Sequence, residues 1–218
     1  MSATSTLRAI ATWLGGAHDR GGRSARGARE GIPTEVRFAL RGTGYERTSH
    51  DRRWTEVDVQ LPKGYALSLF VRRHEWTDPH QIAREAMVDL ELGDAAFDRA
   101  FLVEAAPAQI ARTVLDASIR RLLASYDAAS LTTEALEDRP VVRLTVRTWL
   151  NADAITAAID ALVSLSAGLR DAYAALDAAA LRDAGSPYRP ALDDAEVDAQ
   201  RSELASEVEH IAGLRRKR

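Results

Sequence analysis

The densest run of titratable side chains is Arg72-Arg73-His74-Glu75-Trp76-Thr77-Asp78-Pro79-His80. His74, Glu75, Asp78 and His80 offer imidazole and carboxylate ligands of the kind that hold zinc or another divalent ion. The run begins like H-E-x-x-H but carries Asp at position 78, and Pro79 disfavours helical backbone at the residue before it. The motif needs one helix face to gather its ligands, so the zincin reading fails. A metal site on the loop, serving a metal-dependent hydrolase, stands as an alternative to a plain polar loop. Asp94 and Asp98 form a second candidate, a carboxylate pair for acid–base work. Their spacing after Gly93 suits a different task equally well, the capping of a helical turn with its local hydrogen bonds.

Other chemistries drop out on composition. The chain has no cysteine, which removes disulfides, thiolate metal sites and a cysteine nucleophile. G-x-S-x-G and S-x-x-K are absent, as are G-x-G-x-x-G and G-x-x-x-x-G-K-[ST], so neither a nucleophile elbow nor a phosphate loop is signalled. No cofactor is implied. The formal net charge of -3 argues against a general nucleic-acid coat. Arg20, Arg23, Arg26 and Arg29 repeat every three residues and could track a phosphate backbone or a membrane surface together with Arg215, Arg216, Lys217 and Arg218. No aromatic side chain is interleaved for base stacking, which disfavours nucleic acid, and Arg8 is the one basic residue of the N-terminal helical segment, which disfavours a membrane surface. An arginine-rich chain with only two lysines, Lys63 and Lys217, is explained more simply by a GC-rich coding sequence.

The elements that would position these residues follow from periodicity. Leu7, Ile10, Ala11 and Leu14 have helical spacing, predicting a short amphipathic helix within 1–14 that docks on the body. Residues 15–31, rich in glycine and arginine and nearly free of apolar side chains, read as a flexible linker. From 32 to 182 an α+β domain is expected. Val36, Phe38 and Leu40 alternate with polar neighbours, as do Thr55, Val57, Val59 and Leu61, then Leu67, Leu69 and Val71. Pro62-Lys63-Gly64 predicts that the second and third of these strands form a hairpin. Val88, Leu90 and Leu92 suggest a fourth strand, and Phe97, Phe101 and Val103 a fifth. Pro107 then opens a helix whose period runs unbroken from Ile110 to Tyr126. A weak strand at 131–136 and another at Val142–Thr148 precede a second long helix from Asp153 to about Leu181.

Strands grouped in runs favour an antiparallel sheet, covered on one face by the two long helices, with short helices at both ends. Gly185, Pro187 and Pro190 begin a linker and C-terminal stretch over 183–218. There Val197, Leu204, Val208 and Ile211 form a thin apolar stripe ahead of the basic end. That stripe suits a protein partner or self-association. No uninterrupted apolar run reaches the length of a transmembrane helix and no secretory pattern opens the chain, so a cytoplasmic location is expected.

The stretch Gly93-Asp94-Ala95-Ala96-Phe97-Asp98-Arg99-Ala100-Phe101-Leu102-Val103 resembles the G-D-x-x-F-D-x-x-F-x-V segment of uncharacterised bacterial proteins grouped as a domain of unknown function. The Thr-x-Val-x-Val pattern at Thr55, Val57 and Val59 matches the strand that precedes it there, and the likeness extends from about Gly31 to Leu181. It implies a shared α+β domain of unassigned activity, with no catalytic residue to carry over; some of those proteins look membrane-anchored. Gly93, Asp94 and Asp98 then serve a structural turn, with Phe97 and Phe101 in the core. The function expected is a non-enzymatic interaction or scaffold protein, docking through the exposed sheet face and the C-terminal stripe.

Overall fold

The computed structural model describes residues 2–19, 21–40, 53–74, 89–136 and 139–183, with side chains of the last helix described through Leu176. The chain runs α1 (Ala3–Trp13), β1 (Ala17–His18), β2 (Ser24–Arg29), β3 (Ile32–Leu40), β4 (Arg53–Gln60) and β5 (Ser68–Arg73). It continues through α2 (Ala95–Ala100), β6 (Phe101–Ala106), α3 (Ala108–Val114), α4 (Ala117–Ala124), β7 (Ala129–Leu136), β8 (Arg139–Val146) and α5 (Ala152–Asp183). Among the described residues the eight strands form one antiparallel sheet in the order β1-β2-β3-β4-β8-β7-β5-β6. This is an α+β fold.

Period-two alternation puts Val36, Val57, Val59, Leu69, Val71, Val103, Leu131, Val142 and Leu144 on one face, all buried. The helices bury their apolar stripes in that same core: Leu7 and Ile10 of α1, Ile110 of α3, Ile119 and Leu123 of α4, and Ile155, Ile159, Leu162 and Leu169 of α5. Across the ends of the strands, Ser166 Oγ donates to the Gln60 carbonyl (2.7 Å) and the Tyr173 hydroxyl to that of Ala66. By length and composition Ala152–Leu176 is apolar enough to cross a membrane. The test of an uninterrupted apolar run overlooks it because Asp153, Asp160 and Arg170 punctuate it, and here the helix lies against the sheet as its core helix.

Several expectations are corrected. Residues 15–31 are not a linker: β1 and β2 extend the sheet, and Ala25 is fully buried. The glycines that suggested flexibility permit close packing. A methyl group on Gly27 would stand 2.6 Å from Leu14 Cβ and 2.7 Å from its carbonyl oxygen. Gly31, at φ +77°, shares the two-residue β2–β3 turn with Glu30, at φ +53°. Positive φ at both positions is what a tight hairpin of right-twisted strands demands.

The hairpin expected between β4 and β5 does not form; the β7–β8 hairpin lies between them. Leu61 N–H donates to the Pro140 carbonyl (2.8 Å), continuing the β4–β8 ladder past the end of β4, while Leu61 and Leu67 sink into the core. The expected first long helix is two short ones, because Asp116 accepts from Ser118 N (2.8 Å) and Ile119 N (2.9 Å) and so caps a new start. Among the described residues one long helix, not two, covers the sheet. Phe97 lies in α2 rather than a strand, and residues 89–92 are not a strand. Asp89 and Leu90 instead close the outer edge of β6: Asp89 Oδ1 accepts from Val103 N (2.8 Å), and Leu90 N donates to the Val103 carbonyl (2.8 Å).

Candidate functional site: the charged face of the sheet

The same alternation that fills the core turns a polar set to the opposite face, which none of the described helices covers. Register joins these side chains into two rows. One runs Arg26, Glu35, Asp58, Arg143, Thr132, Phe70, Glu104 across β2, β3, β4, β8, β7, β5 and β6. The other runs Ser24, Arg37, Glu56, Thr145, Ser130, Arg72, Leu102 over the same strands.

Glu35 and Asp58 stand directly opposite one another, a pairing that is repulsive by itself. Guanidinium groups offset it from both sides. Arg26 Nε lies 3.0 Å from Glu35 Oε1. Asp58 accepts from Arg143 through Nε (2.6 Å) and Nη2 (2.9 Å), a two-pronged bond, and from Arg37 through Nη2. Arg37 Nε also lies 3.4 Å from Glu56 Oε2, and Arg143 Nη1 donates to Glu134. Asp58 and Glu56 are only 3% and 6% exposed, whereas Arg26 and Glu134 reach solvent. The bonds it donates to Asp58 hold the Arg143 guanidinium above even its usual high pKa, against the opposing effect of burial.

Every carboxylate at the centre of this lattice is engaged by an arginine, and arginine releases no proton in this range. The arrangement is therefore suited to holding a fixed pattern of charge rather than to proton transfer. A groove of about 290 Å3 opens on it, edged by Arg26, Asp58, Gln60 and Arg139. The sheet edges are less accessible: Asp89 and Leu90 cover β6, while β1 and the bond from Ala28 N to the Leu14 carbonyl (3.1 Å) cover β2.

Of the candidates drawn from the sequence, Arg26 belongs to this face, whereas Gly93, Asp94, Phe97 and Asp98 belong to α2 and the turn before it. His74 follows β5, with Nε2 3.8 Å from Asp89 Oδ2; Glu75, Asp78 and His80 lie outside the described residues. Among the described residues no three His, Cys, Asp or Glu side chains gather as a metal site would require. Asp94 Oδ1 accepts from Phe97 N (3.2 Å) and caps α2, Gly93 stands at φ +78°, and Asp98 accepts from Leu92 N and Gly93 N (both 3.0 Å). Phe97 and Phe101 stack at 4.4 Å.

Arg23, Arg26 and Arg29 are not gathered into one patch. Arg26 sits on the charged face, whereas Arg29 pairs with Asp160 (2.9 Å) and covers Trp13 on the helical side. Arg20, Val197, Leu204, Val208, Ile211, Arg215, Arg216, Lys217 and Arg218 lie outside the described residues. The sequence reading did not single out Arg37, Glu56, Asp58 and Arg143. The outward positions of the alternation were their signal, and only strand adjacency makes them one cluster.

No protein-family model matches the chain, and no curated protein matches it in sequence. Among solved structures it aligns with the mycobacterial trehalose monomycolate transport factor A, covering 77% of this chain and 94% of that one. The identity is 11% and the TM-score 0.47, a likeness too loose to carry any inference about role.

Proposed function

We propose that the chain is a non-catalytic binding module that docks a protein partner on the charged face of its sheet. The observation that carries this reading is the pair of cross-strand charge rows, locked by Arg37 and Arg143 onto Asp58. A fixed array of both signs selects partners by complementarity and rejects those that set like charges together. An edge strand of two residues on one side and the cover of Asp89 and Leu90 on the other favour the face over strand addition as the means of docking. The stripe at Val197, Leu204, Val208 and Ile211 is proposed as a second contact, and the cytoplasm as the place of action.

The test is site-specific photocrosslinking in the native cell. Benzoylphenylalanine is placed at Arg26, Glu134 or Arg139 on the charged face, and at Arg8 or Ser164 on the helical side. A common adduct from the face positions, absent from the helical ones, supports the reading. Adducts confined to the helical side, or none at all, overturn it.

A further inference from the structure

A groove between α2 and α4, remote from the charged rows, is built on a different plan. This open groove has a volume of about 490 Å3, within the range of roughly 300–1,000 Å3 typical of small-ligand sites. Its accessible apolar lining is Ala96, Ala100, Ala117 and Ala124, and beneath them the stacked rings of Phe97 and Phe101 are buried, 5% and 1% exposed.

Three guanidinium groups, from Arg73, Arg120 and Arg121, line it against a single carboxylate, Asp94. Arg73 is fixed in place, donating to the carbonyls of Tyr126 and Ala124 (both 3.1 Å) with its guanidinium 5.0 Å over the Phe101 ring. Among the described residues Arg121 Nε donates within its own helix, to the Ala117 carbonyl (3.1 Å). Arg120 Nη1 is 3.7 Å from Asp94 Oδ2, and its Nε is buried without a hydrogen-bond partner among the described residues. Asp94 is already committed to capping α2 through its other oxygen. The groove thus holds an excess of two positive charges beside an apolar lining.

We propose that this groove binds a single-chain amphiphile with a carboxylate head, its chain along the Ala96, Ala100, Ala117 and Ala124 methyl groups and its head at the Arg120 and Arg121 guanidinium groups. Guanidinium matches carboxylate with paired, charge-assisted hydrogen bonds. The chain supplies the burial that a free small anion lacks. The site is independent of the docking face proposed above.

The experiment is isothermal titration of the full chain with dodecanoate below its micellar concentration. Saturable binding at one site is expected. The Arg120→Ala/Arg121→Ala double variant should weaken it about tenfold or more, as should replacing the ligand by dodecyl maltoside, which keeps the chain but has a neutral head. Ala96→Trp, which fills the groove from an exposed position, should abolish it. Circular dichroism melts establish that each variant is folded, and acetate should not bind. The proposal is overturned by absent saturation, by binding that survives the double variant or Ala96→Trp, by equal binding of dodecyl maltoside, or by acetate binding as tightly as dodecanoate. Tighter binding of dodecyl phosphate than of dodecanoate would overturn the carboxylate assignment.

Discussion

Asp58→Ala is the sharpest perturbation of the charged lattice. In the folded chain the Asp58 carboxylate is 3% exposed and accepts from Arg143 twice and Arg37 once. Truncating it leaves the Arg143 side chain, itself 11% exposed, with Glu134 at the solvent side as its remaining hydrogen-bond partner among the described residues. Removing one member of a buried ion pair typically destabilises a protein by about 3–5 kcal/mol, largely through the charge left uncompensated. With a urea m-value of about 2 kcal/mol/M, the midpoint should fall by about 1.5–2.5 M at unchanged slope. If the loss comes from the orphaned guanidinium, adding Arg143→Met to Asp58→Ala should recover part of it. The double variant should then be more stable than the sum of the two single losses predicts, by about 1 kcal/mol or more. Urea unfolding at neutral pH, followed by tryptophan fluorescence and far-ultraviolet circular dichroism, reads all four corners of the cycle. A loss below about 1 kcal/mol for Asp58→Ala, or strict additivity with Arg143→Met, would refute the reasoning.

Three further outcomes are expected. Gly27→Ala should destabilise by about 1–3 kcal/mol, because the new methyl group meets the Leu14 backbone and Cβ; a thermal melt reads this as a lowered Tm. Asp116→Ala removes the cap that starts α4 and should cost about 1 kcal/mol, with Asp116→Asn or Asp116→Ser retaining most of the stability in urea titrations. Asp19 titrates below the ordinary carboxylate value, chiefly because the Arg23 backbone N–H donates to it (2.7 Å), with partial desolvation opposing. A depressed folded value means that its stabilisation is present above the unfolded pKa of about 4 and disappears as the pH falls through the folded value. Asp19→Asn should therefore be less stable than the parent chain at pH 6, and the gap in urea midpoints should close as the pH is lowered below about 4.

The faces of the strands are legible in the sequence because side-chain direction has period two. Val36 and Phe38, Val57 and Val59, and Val142 and Leu144 all point to the core. Adjacency is not legible in the same way. Alternation is identical whether β5 pairs with β4 or is separated from it by a hairpin 60 residues onward, and Pro62-Lys63-Gly64 signals a turn without naming the partner. The charged lattice is hidden for that reason: Arg37, Asp58 and Arg143 become neighbours only when β3, β4 and β8 are side by side. Gly27 and Gly31 mislead because glycine serves flexible linkers and tight backbone contacts alike. The break at Asp116 interrupts helical hydrogen bonding without disturbing the apolar period from Ile110 to Leu123, so periodicity alone passes over it.

The placement of the β7–β8 hairpin between β4 and β5 has a bearing on how the chain reaches its fold. Strands β1 to β4 form one antiparallel set and β5 with β6 another, and among the described residues no strand pairing joins the two sets directly. Residues 129–146 arrive late during synthesis and act as the keystone that turns two partial sheets into one. Until they are in place, one edge of β4 and one of β5 remain without their native partners, Val142 and Leu131 among the residues that later face them. Long-range pairing of this kind slows folding, since loops must close before the contacts that repay them can form. The interval in which those two edges stay open is where mispairing with another chain would compete with folding.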